Sequence, residues 1–196
     1  MIGKSTIFRR PVIDVIVHFG RVNPRLEGWL AAAAAAGVDV RRHYGRYDLA
    51  LARRQCLANF VANDMPTGAT HLVMIDEDMV PDGRSDGILT EPGDLVFCGF
   101  HGRCGRMGHY GNGDFGAAMC RISERVATAI QADSAFDLEM TADRLAIETC
   151  ECRVFARQAS KFGYRATMVG VVGHLVEMVA WPVGPGGCEL NWPAGA

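Results

Sequence analysis

Three consecutive acids, Asp76, Glu77 and Asp78, interrupt the run HLVMIDEDMVP at residues 71–81. The apolar stretch before them reads as a buried strand, so the acids stand where that strand leaves its sheet. Carboxylates gathered this closely repel one another and lose solvation, and a divalent cation offsets both costs. Mg²⁺ or Mn²⁺ takes one or two carboxylates, keeps several waters and accepts the phosphate oxygens of a substrate. The chemistry open to these residues is to hold a metal and, through it, a diphosphate. Taken alone, an acidic turn after a strand is more often a solvated turn, so the surrounding elements decide the reading.

Those elements alternate. VIDVIVHF at 12–19 is short and rich in β-branched residues, as an interior strand is. NPRLEGWLAAAAAAG reads as a helix: Asn23 caps it, Pro24 takes the first position, Glu27 complements the dipole and Gly37 stops it. The alanine run has the best helix propensity and suggests a helix packed closely on a neighbour. VDVRRHY gives a second strand, and YDLALARRQCLANFVAND places Leu49, Ala52, Cys56, Phe60 and Val61 at helical spacing. THLVMI then delivers the acids. Strand, helix, strand, helix, strand marks an α/β layer with a mostly parallel sheet, and ligands of such sheets bind beyond the carboxyl ends of the strands.

Further along, a short helical turn fits between PDGRSDG and TEPGD, and DLVFCGF (94–100) is another strand. HGRCGRMGHYGNGDFG carries six glycines and reads as a loop able to close over a ligand through His101, Arg103, Arg106, His109 and Asp114. GAAMCRIS rises into a strand, Ser123 caps SERVATAIQA, ECRVFARQASKFGYR is an amphipathic helix, and ATMVGVVGHLVEMVAWP holds one or two final strands. The expected organisation is one domain over 1–183 with a Gly/Pro-rich tail over 184–196.

Composition limits the partners. A net charge of −2 supplies no basic field for a nucleic-acid backbone. No apolar stretch approaches the roughly 20 residues of a membrane span. Seven cysteines without a CxxC pair suit a reducing, cytoplasmic setting better than a disulfide framework, and the spacing of Cys150 and Cys152 is not that of a zinc pair.

Four stretches together resemble the nucleotide-sugar glycosyltransferases of the GT-A fold, particularly the family 2-like enzymes of bacteria and phages. YDLALARRQCLANF looks like the helix that precedes their metal strand, and THLVMIDEDMVP like the strand with its Asp-x-Asp motif. GDFGAAMCRISERV is similar to their Gly-containing turn, strand and Arg that lead into a helix. ECRVFARQASKFGYR followed by VGHL is similar to the Glu-Asp motif helix and the Gly-His that supplies a late metal ligand. The resemblance runs from about Tyr47 to Leu175 and implies a single-domain, Rossmann-like, three-layer GT-A fold.

Carried onto this chain, the resemblance implies Asp78 as a direct metal ligand and His174 as its partner, an imidazole favouring Mn²⁺ over Mg²⁺. It implies Asp76 as a contact to ribose or metal-bound water, and Arg53 facing the nucleotide, with Arg54 competing for that role. One departure stands out. The Glu-Asp motif falls on Glu151 and Cys152, and a thiol with an ordinary pKa of about 8.5 is a poor replacement for a carboxylate base. Glu151 is the nearest substitute, with Glu148 and Asp143 in reserve, although a glutamate at a helix start also simply complements the dipole. The expected activity is metal-dependent transfer of a sugar from a nucleotide diphosphate sugar to an unidentified acceptor hydroxyl. The alternatives are a catalytically impaired nucleotide- or sugar-binding protein or structural protein, and phosphoryl chemistry at the same acids. Oligomeric state is not legible.

Overall fold

A computed structural model describes residues 11–17, 22–45, 48–99, 116–130, 135–137, 139–140, 147–149 and 151–174, with the backbone alone at 139–140, 147–149 and 174. The glycine-rich segment with Asp114, the reserve acid Asp143 and the tail lie outside the described residues.

The chain alternates as its pattern dictates: β1 (Pro11–Val17), α1 (Pro24–Ala35), β2 (Asp39–Tyr44), α2 (Leu49–Asn59), β3 (His71–Asp76) and β4 (Met79–Val80). It continues through α3 (Gly87–Thr90), β5 (Leu95–Gly99), β6 (Met119–Ser123), α4 (Glu124–Ala129), β7 (Glu139–Met140) and β8 (Ile147–Thr149). The last described elements are α5 (Glu151–Lys161), β9 (Thr167–Val171) and β10 (Gly173–His174). Six strands form the central sheet in the order β2-β1-β3-β6-β5-β9. All run parallel except β6, which lies antiparallel between β3 and β5. Two short ribbons, β4 with β10 and β7 with β8, stand apart from it.

Alternation along the strands divides the core into two faces. Val12 and Ile16 of β1 join Ala52, Cys56, Leu57 and Phe60 of α2, together with Phe155 and Ala159 of α5. Ile13, Val15 and Val17 point the other way, onto Leu26, Trp29, Leu30 and Ala33 of α1 and Ile88 and Leu89 of α3. The result is a three-layer, Rossmann-like α/β domain.

The local signals act where they were read. The Asn23 side chain accepts from the Arg25 and Leu26 amides, Pro24 opens α1, and Gly37 follows the helix at φ +90°, a conformation glycine adopts without strain. Ser123 caps α4, and Asp48, which was not read as a cap, caps α2. The alanine run corrects its expectation: Ala33 is buried, whereas Ala31, Ala32, Ala34, Ala35 and Ala36 are exposed. Helix α1 packs through its leucines and Trp29, and the alanines serve propensity rather than close approach. Helix α2 is shorter than the 47–64 pattern, because a π-helical turn over Phe60–Asp64 and a 3₁₀ turn over Met65–Thr67 replace its last turns. No helix among the described residues is long and apolar enough to cross a membrane.

Candidate active site

Strand β3 ends at Asp76 with its backbone held on both sides. The Asp76 amide donates to the Ala118 carbonyl at 2.8 Å and the Glu77 amide to the Ile16 carbonyl at 3.1 Å. The Glu77 carbonyl in turn accepts from the Asn23 amide at 3.2 Å, and the Asn23 side-chain amide donates to the Met79 carbonyl at 2.6 Å. One residue therefore caps α1 and fixes the chain on both sides of Asp78.

The acids part company after the strand. Asp76 and Glu77 are buried and Asp78 is half-buried. Arg53, on the face of α2 turned to the sheet, reaches Asp76: its Nη2 donates to the two carboxylate oxygens at 2.9 and 2.8 Å. Its Nη1 donates to Oε1 of Glu151, the first residue of α5. Three site residues proposed from sequence, 98 positions apart at the extremes, thus form one buried bridge, with Arg53 only 2% exposed. Burial opposes the guanidinium charge, but the carboxylates of Asp76 and Glu151 more than offset it and hold Arg53 above its ordinary range. Arg53 thus has its two terminal nitrogens engaged by protein carboxylates, and its buried Nε has no hydrogen-bond partner among the described residues. Arg54, its rival in the sequence, leaves the cluster and pairs with Asp137 at 2.8 Å.

His174 arrives from the far end of the chain. Strands β4 and β10 pair antiparallel, with His174 opposite Met79 and Gly173 opposite Val80. The His174 backbone is therefore one ladder position from Asp78, and directly opposed residues in such a ladder lie roughly 4.5–5.5 Å apart at Cα. Gly173 permits this approach, since a Cβ there meets the Val80 side chain at 3.1 Å and its carbonyl at 3.3 Å. The ribbon thus sets the His174 backbone opposite Met79, the residue after Asp78, just beyond the carboxyl end of β3.

Cys152, at the position where the resemblance has an aspartate, is buried in the core under α2 with Phe155 and Ala159. Glu148 lies on β8, where the backbone alone is described, and Asp114 falls outside the described residues. Arg121, noted in sequence only as the arginine of a strand, proves structural: it donates to the carbonyls of Ile88 at 2.8 Å, Glu91 at 2.6 Å and Gly93 at 3.2 Å. Burial lowers its pKa to about 10. It ties the segment after β4 to the middle of the sheet, beneath the site.

No protein-family model and no curated protein matches the sequence. Solved structures do match the fold. The structure described as A197 from STIV superposes with a TM-score of 0.59 at 16% identity, covering 85% of this chain and 86% of that one. A glycosyltransferase involved in the glycosylation of the major capsid of PBCV-1 superposes with a TM-score of 0.52 at 10% identity, covering 85% and 94%. At such identities the similarity is one of architecture, and the chain has a glycosyltransferase-like, Rossmann-type fold.

Proposed function

We propose that this chain is a metal-dependent glycosyltransferase of GT-A type, moving a sugar from a nucleotide diphosphate sugar to an acceptor hydroxyl. The observation that carries the reading is the convergence at the end of β3, where Asp78, the His174 backbone and the Arg53 bridge meet on a fold shared with a glycosyltransferase. Open α/β sheets bind their ligands at this edge.

The donor set suits a divalent ion. Asp78 is a half-buried carboxylate beside a histidine position, a mixed oxygen and nitrogen pair that favours Mn²⁺. The two oxygens of Asp76 accept from Arg53, which fits Asp76 to orient ribose or metal-bound water better than to ligate directly. Asp78 and His174 would hold the ion, which when bound supplies positive charge for a leaving diphosphate. Arg53 adds a fixed cation behind the carboxylates and orients both Asp76 and Glu151. Glu151, partly exposed at the start of α5, is the carboxylate placed to take the proton of an acceptor hydroxyl. Donor and acceptor then meet between β3 and α5.

A second reading, a protein that binds the donor without turning it over, is favoured by two observations: Cys152 lies in the core, and Glu151 is already paired with Arg53. A panel of nucleotide diphosphate sugars, assayed for donor hydrolysis and for transfer with Mn²⁺, separates the two. Turnover that falls at least 100-fold in Glu151→Gln, with donor binding retained, supports the base assignment; a loss of one general base has typically that size. Binding of a donor without turnover by the unaltered chain supports the second reading.

A further inference from the structure

On the α2 side of the sheet lies a second cluster, in which Asp14 sits at the centre of β1, His43 near the end of β2 and Cys56 in the middle of α2. One potential ligand atom from each lies within 4.8 Å of the others. Cys56 is three residues beyond Arg53, about 4.5 Å farther along the helix axis, so the cluster lies below the Arg53 bridge rather than in it.

Asp14 is the anomaly. Its side chain is fully buried in an otherwise apolar strand, where an acid requires compensation. Arg41 gives its Nε to Oδ1 at 2.7 Å and spends its other nitrogens on Asp64 at 3.0 and 2.8 Å. Oδ2 of Asp14 is left buried without a hydrogen-bond partner among the described residues. His43 Nε2 lies 3.1 Å from Oδ1, yet it too has no hydrogen bond among the described residues. Two buried polar atoms without a hydrogen bond, from different strands, thus face a buried thiol. Leaving such atoms unsatisfied is costly, and native proteins rarely do so without a ligand or an ordered water.

We propose that Asp14, His43 and Cys56 form a binding site for a thiophilic divalent cation, zinc in the first instance, separate from the Asp78 position. Oxygen, imidazole nitrogen and thiolate sulfur are a zinc donor set, and a tetrahedral ion at bonds of roughly 2.0–2.3 Å spaces its ligands by less than about 4 Å. On binding, Asp14 Oδ2 and His43 Nε2 supply lone pairs and the Cys56 thiol gives its proton to solvent. The carboxylates of Asp14 and Asp64 with the Cys56 thiolate then balance Arg41 and the ion, leaving the set neutral. His43 is 24% exposed and marks the side from which water completes the fourth position.

The test uses the full chain, stripped with chelator and titrated with Zn²⁺ and with Co²⁺ as a spectroscopic probe. In Asp78→Ala, which lacks the other proposed metal position, one equivalent of Zn²⁺ binds with release of one proton, and the Co²⁺ adduct shows tetrahedral ligand-field bands with a thiolate charge-transfer band. Cys56→Ser removes the charge-transfer band, His43→Gln weakens binding at least tenfold, and Asp78→Ala leaves both signals intact. His43→Gln is partly exposed and keeps the fold if Cys56→Ser does not. A charge-transfer band that survives Cys56→Ser in folded protein, affinity unchanged in His43→Gln, or no Zn²⁺ retained against a weak chelator overturns the proposal.

Discussion

Replacing Arg53 with methionine tests the bridge on which the site is built. The substitution keeps the length and packing of the side chain but removes the cation between Asp76 and Glu151. Both carboxylates are largely buried, 13% and 15% exposed, so neither can recover its hydration where it stands. Removing one partner of a buried pair costs about 3–5 kcal/mol, most of it the charge left behind. For a domain of this size each kcal/mol lowers Tm by about 2–4 °C, so Arg53→Met is expected to melt roughly 6–20 °C below the unaltered protein. Urea unfolding with linear extrapolation gives the free energy directly. Adding Glu151→Gln to Arg53→Met removes one of the stranded charges and restores part of the loss, with a coupling energy above about 1 kcal/mol in the double-mutant cycle. A loss below about 1 kcal/mol, or strict additivity of the two changes, refutes the claim that Arg53 is a buried bridge between the two acids.

Two further outcomes follow from the fold around the site. Burial, with the charge of Arg121 nearby, lowers His71 from 6.5 to about 4, while Asp94 acts against it. The folded state thus favours the neutral ring, so this stability is fully present above pH 6.5 and is lost as the pH falls from there through 4. It amounts to about 2 kcal/mol after allowance for the ring's remaining exposure, and thermal melts of His71→Gln between pH 7 and 4 should lack that part of the acid limb; an unchanged limb contradicts the assignment. Gly170 of β9 faces the backbone of the turn after β4, where an added Cβ would meet the Arg84 carbonyl oxygen at 1.9 Å. Gly170→Ala is expected to destabilise by about 3 kcal/mol in urea unfolding, at the upper end of the usual overpacking range, and a neutral result contradicts the close approach.

What sequence showed and what it hid divide along the range of the interactions. Asn23, Pro24, Gly37, Ser123 and the strand periods act within a few residues, so these caps, most element boundaries and the α/β alternation were legible, while the three-layer form was implied by the resemblance. The antiparallel insertion of β6 between β3 and β5 was not, because strand order is decided by partners 23 to 52 residues away. Ribbon β4–β10 is too short to carry a period of its own, and its register, which sets the His174 backbone opposite Met79, is fixed by tertiary contact. Arg53 was placed near the ligand by resemblance, whereas its attachment to Asp76 and Glu151 required the packing of α2 against α5. Asp14 is a lone acid in an apolar strand of the sequence, and its meaning emerges once β2 and α2 bring His43 and Cys56 to it.

The central claim is that a divalent ion at Asp78 draws in the diphosphate of the donor. Calorimetric titration of uridine, guanosine, cytidine and thymidine diphosphates, with and without Mn²⁺, on the unaltered chain and on Asp78→Ala measures this directly. At least one diphosphate is expected to bind at least tenfold more tightly with Mn²⁺, and Asp78→Ala to abolish this gain while the protein stays folded. Binding that ignores the metal, or a metal effect that survives Asp78→Ala, contradicts the central claim.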